Sequence, residues 1–64
     1  MTIYIVSELY DYEGASVRAV CETYKEALSI ALELDDSEHN DGVRIESVST
    51  TDPRNIELVQ EWQV

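Results

Sequence analysis

A single segment with helical spacing, set between runs of strand-like residues, constrains the fold of this 64-residue chain most strongly. Thr23 and Glu26 have the spacing of a capping box, with Thr23 at the N-cap position. From Thr23 to about Asp35 most residues are good helix formers. Intervals of three and four predict an apolar face that packs on a core, made of Tyr24, Ala27, Leu28, Ala31 and Leu34 and widened by Ile30 and Leu32.

Two runs that favour strands precede the helix. Residues 3–9 are apolar in both alternating sets, which predicts an interior strand with a neighbour on each side. Residues 15–21 form a second run, which we expect to point Val17, Ala19 and Cys21 inward. Gly14 can adopt a positive φ in the turn between the runs, so the pattern predicts an antiparallel hairpin.

Residues 35–42 are polar and predict a loop after the helix. Residues 43–50 then predict a third strand, with Val43, Ile45 and Val48 as its apolar residues. The interval from Ile45 to Val48 breaks a strict alternation and predicts a bulge near Glu46 and Ser47.

The last segment, residues 56–64, follows a predicted turn at residues 51–55. Alternation with period two predicts a fourth strand that places Ile56, Leu58, Gln60, Trp62 and Val64 on one side. We expect Trp62 to pack on the sheet or the core. The alternative is a helix with Asp52 at the N-cap and Pro53 at its first position.

This order of elements predicts one α+β domain over residues 1–64, in which a β-β-α-β-β chain forms an antiparallel sheet with one helix on one face. The other face of the sheet would carry Tyr4, Val6, Val20, Val48 and Val59. A face this apolar is rarely left exposed on a monomer, so we expect a homodimer through it or a partner lying on it.

The charge of the chain limits its partners. Fourteen Asp and Glu residues against four Lys and Arg residues give a formal net charge of −10. Nucleic acids and anionic membranes are bound through Lys and Arg, so direct binding to either is excluded. The complement is a protein with a basic surface, such as a nucleic-acid-binding enzyme. The chain shows neither a secretory signal nor a membrane-spanning run, so we expect a cytoplasmic protein.

We expect no enzymatic activity, no cofactor and no metal site. A lone cysteine and a lone histidine form neither a disulfide nor a four-ligand zinc site. We expect Cys21 to pack in the core, and His39 lies in the polar loop. Aligned with a calcium-binding EF-hand, that loop puts Val48 where a bidentate glutamate is required, so the motif fails.

The main candidate site is a stripe of carboxylates on the helix. Residues 22, 26, 29, 33 and 36 are spaced by four and three, which places them opposite the apolar face. We name the acidic members Glu22, Glu26, Glu33 and Asp36 the acidic ridge. Like charges at this spacing disfavour a helix by roughly 0.2–0.5 kcal/mol per pair. The ridge is either a solvated outer face or a surface that docks into a basic groove.

A second candidate surface is the hairpin tip formed by Tyr10, Asp11, Tyr12 and Glu13. Tyrosine is enriched at binding hot spots because it offers contact area and a hydroxyl at low entropic cost. The alternative is that both tyrosines fold back over the hairpin or the open face of the sheet.

The residues from Tyr4 to Gly14 follow the pattern Y-x-V-x-E-x-Y-D-Y-E-G, and Val20, Thr23, Glu26 and Ala27 come after it. With the closing residues 61–64, they resemble short uncharacterised bacterial and phage proteins with such a hairpin, a helix and an acidic aromatic strand. Residues 37–55 have no counterpart in that resemblance. The resemblance implies a strand-strand-helix-strand core and carries no activity.

These observations lead to a functional hypothesis and two alternatives. The hypothesis is a non-enzymatic phage or mobile-element inhibitor that occupies a basic, nucleic-acid-binding site on a host protein. One alternative is a bacterial adaptor or small structural subunit that binds a partner, or itself, through the tyrosine tip or the open sheet face. The other explains the acidity as an adaptation to high salt.

Overall fold

A computed structural model describes residues 1–10, 14–36 and 40–63. Its elements are β1 (Thr2–Tyr10), β2 (Gly14–Cys21), α1 (Tyr24–Asp35), β3 (Gly42–Ser49) and β4 (Asp52–Gln63). The strands form one antiparallel sheet in the order β2-β1-β3-β4, and α1 packs against β1, β3 and β2. The predicted α+β fold is confirmed. We call the two sides of the sheet the helix face and the open face.

The hairpin and the interior position of β1 follow the sequence prediction. β1 pairs with β2 on one side and with β3 on the other. Gly14 has a φ of 82° and pairs with Tyr10, so the glycine adopts the left-handed conformation that its lack of a Cβ permits.

The last segment is a strand, so the helical alternative is wrong. β4 begins at Asp52, within the predicted turn, because the chain reverses at Thr50 and Thr51 and Ser49 already pairs with Asp52. The Thr50 amide donates to the Met1 carbonyl oxygen at 2.9 Å, which ties this turn to the start of β1.

The core lies between α1 and the helix face. Ala27 and Ala31 are fully buried, and their small side chains let the helix approach the sheet closely. The buried cluster is completed by Val6, Cys21, Val43 and Ile45, with Tyr24, Leu28, Ile30, Leu34 and Trp62 packed around it. The predictions for Cys21 and Trp62 are confirmed. The prediction for Leu32 is wrong, since 49% of this residue is exposed.

The prediction that Tyr4 and Val6 lie on the open face is wrong. Both pack with the buried cluster under α1, and the Tyr4 ring meets the Tyr24 ring edge to face at 6.0 Å between centroids. Because successive residues of a strand point to opposite sides, Ile3 and Ile5 lie on the open face. Val48 and Val20 pair with them and share that face, as predicted.

Two bulges change which residues face the helix. In β2 the register shifts opposite Val6 and Ser7, which leaves Arg18 as an extra residue. Ala19 therefore faces the helix with Cys21, whereas Val17 turns to the open face and is exposed, contrary to prediction.

The second bulge lies in β4, opposite Ile45 and Glu46, and its extra residue is Val59. The sequence predicts this bulge in β3, but the extra residue lies in β4. β3 itself pairs with β1 without a shift in register. Ile56 and Leu58 lie on the open face, but Gln60 and Trp62 lie on the helix face; the predicted one-sided alternation of β4 is wrong.

Candidate functional site

The acidic ridge extends from just before α1 to its C-cap and is exposed to solvent. Glu26 and Glu33 lie within the helix, Asp36 is its C-cap, and Glu22 comes one residue before the N-cap Thr23. All four are exposed. At 1.5 Å per residue, Glu26 and Glu33 are about 10 Å apart along the axis. The structure places Glu26 and Glu33 on one side of α1, and Glu22 and Asp36 flank the helix at its two ends.

No ion pair between described residues involves the acidic ridge. Arg18 pairs with Glu8 at 2.5 Å between Nε and Oε1, and Arg44 pairs with Glu46 at 3.1 Å. Neither acid belongs to the ridge. Within the described ranges, Lys25 forms no ion pair with a ridge residue. Among the described residues, the ridge carboxylates are therefore not neutralised by an ion pair.

The two ends of the ridge differ in what they do for the helix. Near the N-terminus, the Glu26 amide donates to Thr23 Oγ1 at 3.2 Å, and the Thr23 hydroxyl donates to Glu26 Oε1 at 3.1 Å. An acid here also favours the helix dipole. The last turn holds Glu33 and Asp35 and has no basic residue. Acids there oppose the dipole, at a cost of about 0.3–1 kcal/mol each.

The tyrosine tip is described only at its first residue. Tyr10 ends β1, and its hydroxyl accepts a hydrogen bond from Arg18 Nη2 at 3.1 Å. Asp11, Tyr12 and Glu13 lie outside the described residues. Their proposed part in binding stays a prediction.

A buried polar cluster that the sequence reading missed lies next to the C-terminal end of α1. Glu8 and Asn40 are each only 6% exposed. Asn40 Nδ2 donates to Glu8 Oε2 at 2.6 Å and to the Leu34 carbonyl oxygen at 2.9 Å, while Arg18 donates to the other Glu8 oxygen. Glu8 shares the helix face with Tyr4 and Val6. Assigning Glu8 to the helix face from the sequence would have predicted a buried carboxylate that requires hydrogen-bond partners.

The hydrogen bond from Asn40 lowers the pKa of the Glu8 carboxyl, with further help from Arg18, although burial opposes the shift. The hydrogen bonds to Tyr10 and Glu8 raise the pKa of Arg18 in turn. The cluster thus holds an ionised carboxylate whose two oxygens both accept hydrogen bonds. Its evident role is to fasten β1 to the segment between α1 and β3.

Elsewhere in the described residues, the structure does not favour a chemically reactive group. Burial, together with the charge of Glu26, raises the pKa of the Cys21 thiol and so disfavours the nucleophilic thiolate. The described ranges contain no pocket and no group of three or more metal-ligating side chains. In these ranges no helix has both the length and the apolar character that crossing a membrane requires.

Comparison with curated proteins and comparison with solved structures each found no significant match. A family model described as a domain of unknown function, DUF7336, matches residues 1–57. The match runs from β1 into β4 and includes residues 37–55, for which the sequence resemblance had no counterpart. The match ends before the acidic aromatic residues 61–64. It covers the hairpin but does not confirm the specific hairpin pattern. The chain belongs to the DUF7336 family of domains of unknown function.

Proposed function

We propose that this chain is a non-enzymatic binding protein whose acidic ridge docks into a basic, nucleic-acid-binding site on a partner protein. The finer form of the proposal is an inhibitor from a phage or mobile element, which the sequence resemblance supports. The observation that carries the proposal is the unneutralised acidic end of α1, at Glu33 and Asp36.

Among the described residues, neither of those carboxylates has a hydrogen bond or an ion pair that stabilises the fold. A domain near this size has a stability of only a few kcal/mol, so about 0.3–1 kcal/mol per adverse charge is a substantial loss. A lysine at either position would turn the loss into a gain. Local rules of this kind are broken mainly at functional sites. The cost supports a role for Glu33 and Asp36 outside the fold.

The charge of the whole chain supports the same role. A net charge of −10 creates a long-range attraction for a basic surface. A ridge on one side orients that attraction, and the encounter should be fast and strongly weakened by salt. A basic groove that binds nucleic acid offers a row of cations for the ridge. Binding there would displace the nucleic acid.

Affinity capture from a bacterial lysate tests the proposal first. The immobilised chain should retain a nucleic-acid-binding protein at low salt and release it as the salt concentration rises. Mass spectrometry identifies the protein, and the chain should then compete with nucleic acid for it. A captured partner that binds nucleic acid and the chain at the same time would contradict the proposal.

Two matched variants then separate the ridge from net charge. The ridge variant carries Glu33→Lys and Asp36→Lys, and the β4 variant carries Asp52→Lys and Glu57→Lys. Each replacement of an acid by lysine raises the net charge by two, so both variants go from −10 to −6. We expect the ridge variant to bind the captured partner about a hundredfold more weakly, or about 2.7 kcal/mol. The β4 variant should lose less than about tenfold. Equal losses would mean that net charge alone matters.

The adaptor alternative is favoured by one observation, the exposed apolar side chains on the open face. In that case salt and the ridge variant would leave partner binding unchanged, and Tyr12→Ala or a change on the open face would abolish it. Adaptation to high salt predicts instead that the chain unfolds in dilute buffer and refolds in molar salt.

A further inference from the structure

We propose that the open face binds a second copy of this chain, so that two sheets pack face to face and the two acidic ridges point outward. The proposal concerns a different surface from the ridge and stands independently of the proposed function. Six apolar residues occupy the centre of this face: Ile3, Ile5, Val20, Val48, Ile56 and Leu58.

Strand pairing arranges these side chains in two adjacent rows. Ile3, Val48 and Ile56 are register partners across β1, β3 and β4. Val20 pairs with Ile5 in the next row, which continues through Glu46 to Leu58. Val20 and Leu58 are each 60% exposed at the two ends of the row that contains Glu46, and Ile56 is 52% exposed at the end of the other row. Together the rows cross all four strands and leave apolar side chains exposed on β2 and β4, with Ile3 and Ile5 half-buried and Val48 buried between them.

The core on the helix face is small, so covering the open face would add apolar burial that the single chain lacks. The largest fully buried side chains are Ile45, Val6 and Val43, and α1 contributes only alanines to the buried set. A domain near 60 residues buries only about 60% of its unfolded surface. Chains of this size therefore often gain the missing burial by oligomerisation. Packing of the open face would add a second apolar layer.

The dimensions of the molecule set an upper limit on the area that the open face can bury. The two longer dimensions of the molecule are 35 and 23 Å, and the third is 15 Å, as expected of one sheet and one helix. A face within these dimensions covers at most roughly 800 Å², so nearly all of it would have to be buried to reach what each partner contributes to a stable interface of standard size.

The local charges of the open face are self-complementary, which favours a second copy as the occupant although the net charges of two copies repel. Glu26 and Glu33 lie on α1, on the far side of the sheet, so these acids stay apart in a face-to-face dimer. On the open face β3 supplies Arg44 and Glu46, 3.1 Å apart. A two-fold axis can place Arg44 of each copy against Glu46 of the other, which is the self-complementary arrangement of an isologous contact.

Salt dependence separates this association from ridge binding. Each copy carries −10, so repulsion between copies opposes dimerisation, and salt screens that repulsion. We therefore expect the dimer to tighten as salt rises, whereas binding of a basic partner weakens. The opposite trends also keep failure of one proposal distinct from failure of the other.

Sedimentation velocity across micromolar protein concentrations, at low and at physiological salt, tests the dimer. The wild-type chain should approach twice its 7.3 kDa mass. Leu58→Lys should raise the dimer dissociation constant at least about tenfold, since each dimer would bury this side chain twice. Leu32→Lys is the matched control, because Leu32 is also half exposed but lies on α1. It should leave the dissociation constant within about threefold. Far-UV circular dichroism confirms that both variants fold.

Three outcomes would overturn the proposal. One is a wild-type chain that stays monomeric at high micromolar concentration in physiological salt. Another is a dimer that survives Leu58→Lys, which would indicate edge pairing through β2 or β4. The third is equal weakening by Leu32→Lys, which would place the contact on the helix.

Discussion

Asn40 Nδ2 donates a 2.6 Å hydrogen bond to Glu8 Oε2, across a separation of 32 residues in sequence. The same amide group donates to the Leu34 carbonyl oxygen near the end of α1. One buried side chain thus connects β1, the last turn of the helix and the segment that leads into β3. The Asp41 amide, which donates to the Leu9 carbonyl oxygen at 2.8 Å, reinforces the connection.

Asn40→Ala should destabilise the chain by about 1–3 kcal/mol, because it leaves a buried carboxylate oxygen and a carbonyl with one donor fewer. Urea unfolding monitored by circular dichroism measures the change. Asn55→Ala is the control, since Asn55 is exposed on β4 and should change stability by less than about 0.5 kcal/mol. If both variants lose the same stability, the Asn40 hydrogen bonds contribute no more to stability than the bonds to water that would replace them.

Glu8 should also make stability depend on pH. Its pKa is lowered in the fold from an ordinary value of 4.5, so the unfolded chain binds the proton more readily. The stabilisation is complete above that value and is lost as pH falls through the lower pKa of the folded state.

Glu8→Gln is the variant that tests this. It should cost about 1–2 kcal/mol at neutral pH, and the difference from wild type should narrow as pH falls below about 4.5. Glu57→Gln, at an exposed position, is the control and should change stability at neutral pH by less than about 0.5 kcal/mol. A difference for Glu8→Gln that stays constant from neutral to acidic pH would contradict an ionised Glu8.

The helix and the position of Glu26 and Glu33 on it could be predicted because both depend on spacing within a single element. The capping residues and the turn at Gly14 are local in the same sense. The helix face of β1 could not be predicted, because Ile3 and Ile5 are as apolar as Tyr4 and Val6. Only packing against α1 decides between two such sets.

Tertiary contacts also explain the remaining errors. The extra residues Arg18 and Val59 reverse the facing of every position beyond them, and neither carries a glycine or another local bulge signal. The contact between Glu8 and Asn40 joins a strand to a distant loop. No pattern within either segment indicates it.

Gly14→Ala should destabilise the hairpin by about 1–2 kcal/mol, since a φ of 82° is unfavourable once a Cβ is present. The cost belongs to the backbone alone, because a Cβ at this position would meet no atom within 4 Å. Gly14→Asn should cost less, as asparagine tolerates this conformation better. Thermal unfolding of both variants checks the order. A larger loss in the asparagine variant would contradict the conformational explanation.

Glu33→Lys should make the chain more stable while it weakens partner binding. It removes an adverse charge from the last turn of α1 and supplies a favourable one, for a combined gain of about 1 kcal/mol. In a domain of this size such a gain raises the melting temperature by about 4–8 °C. Glu57→Lys makes the same change of charge on β4, away from any helix terminus. It should therefore gain less when both are measured by calorimetry at one salt and protein concentration. Equal gains would mean that relief of general repulsion accounts for the effect, and the argument that Glu33 is retained at a cost to the helix would fail.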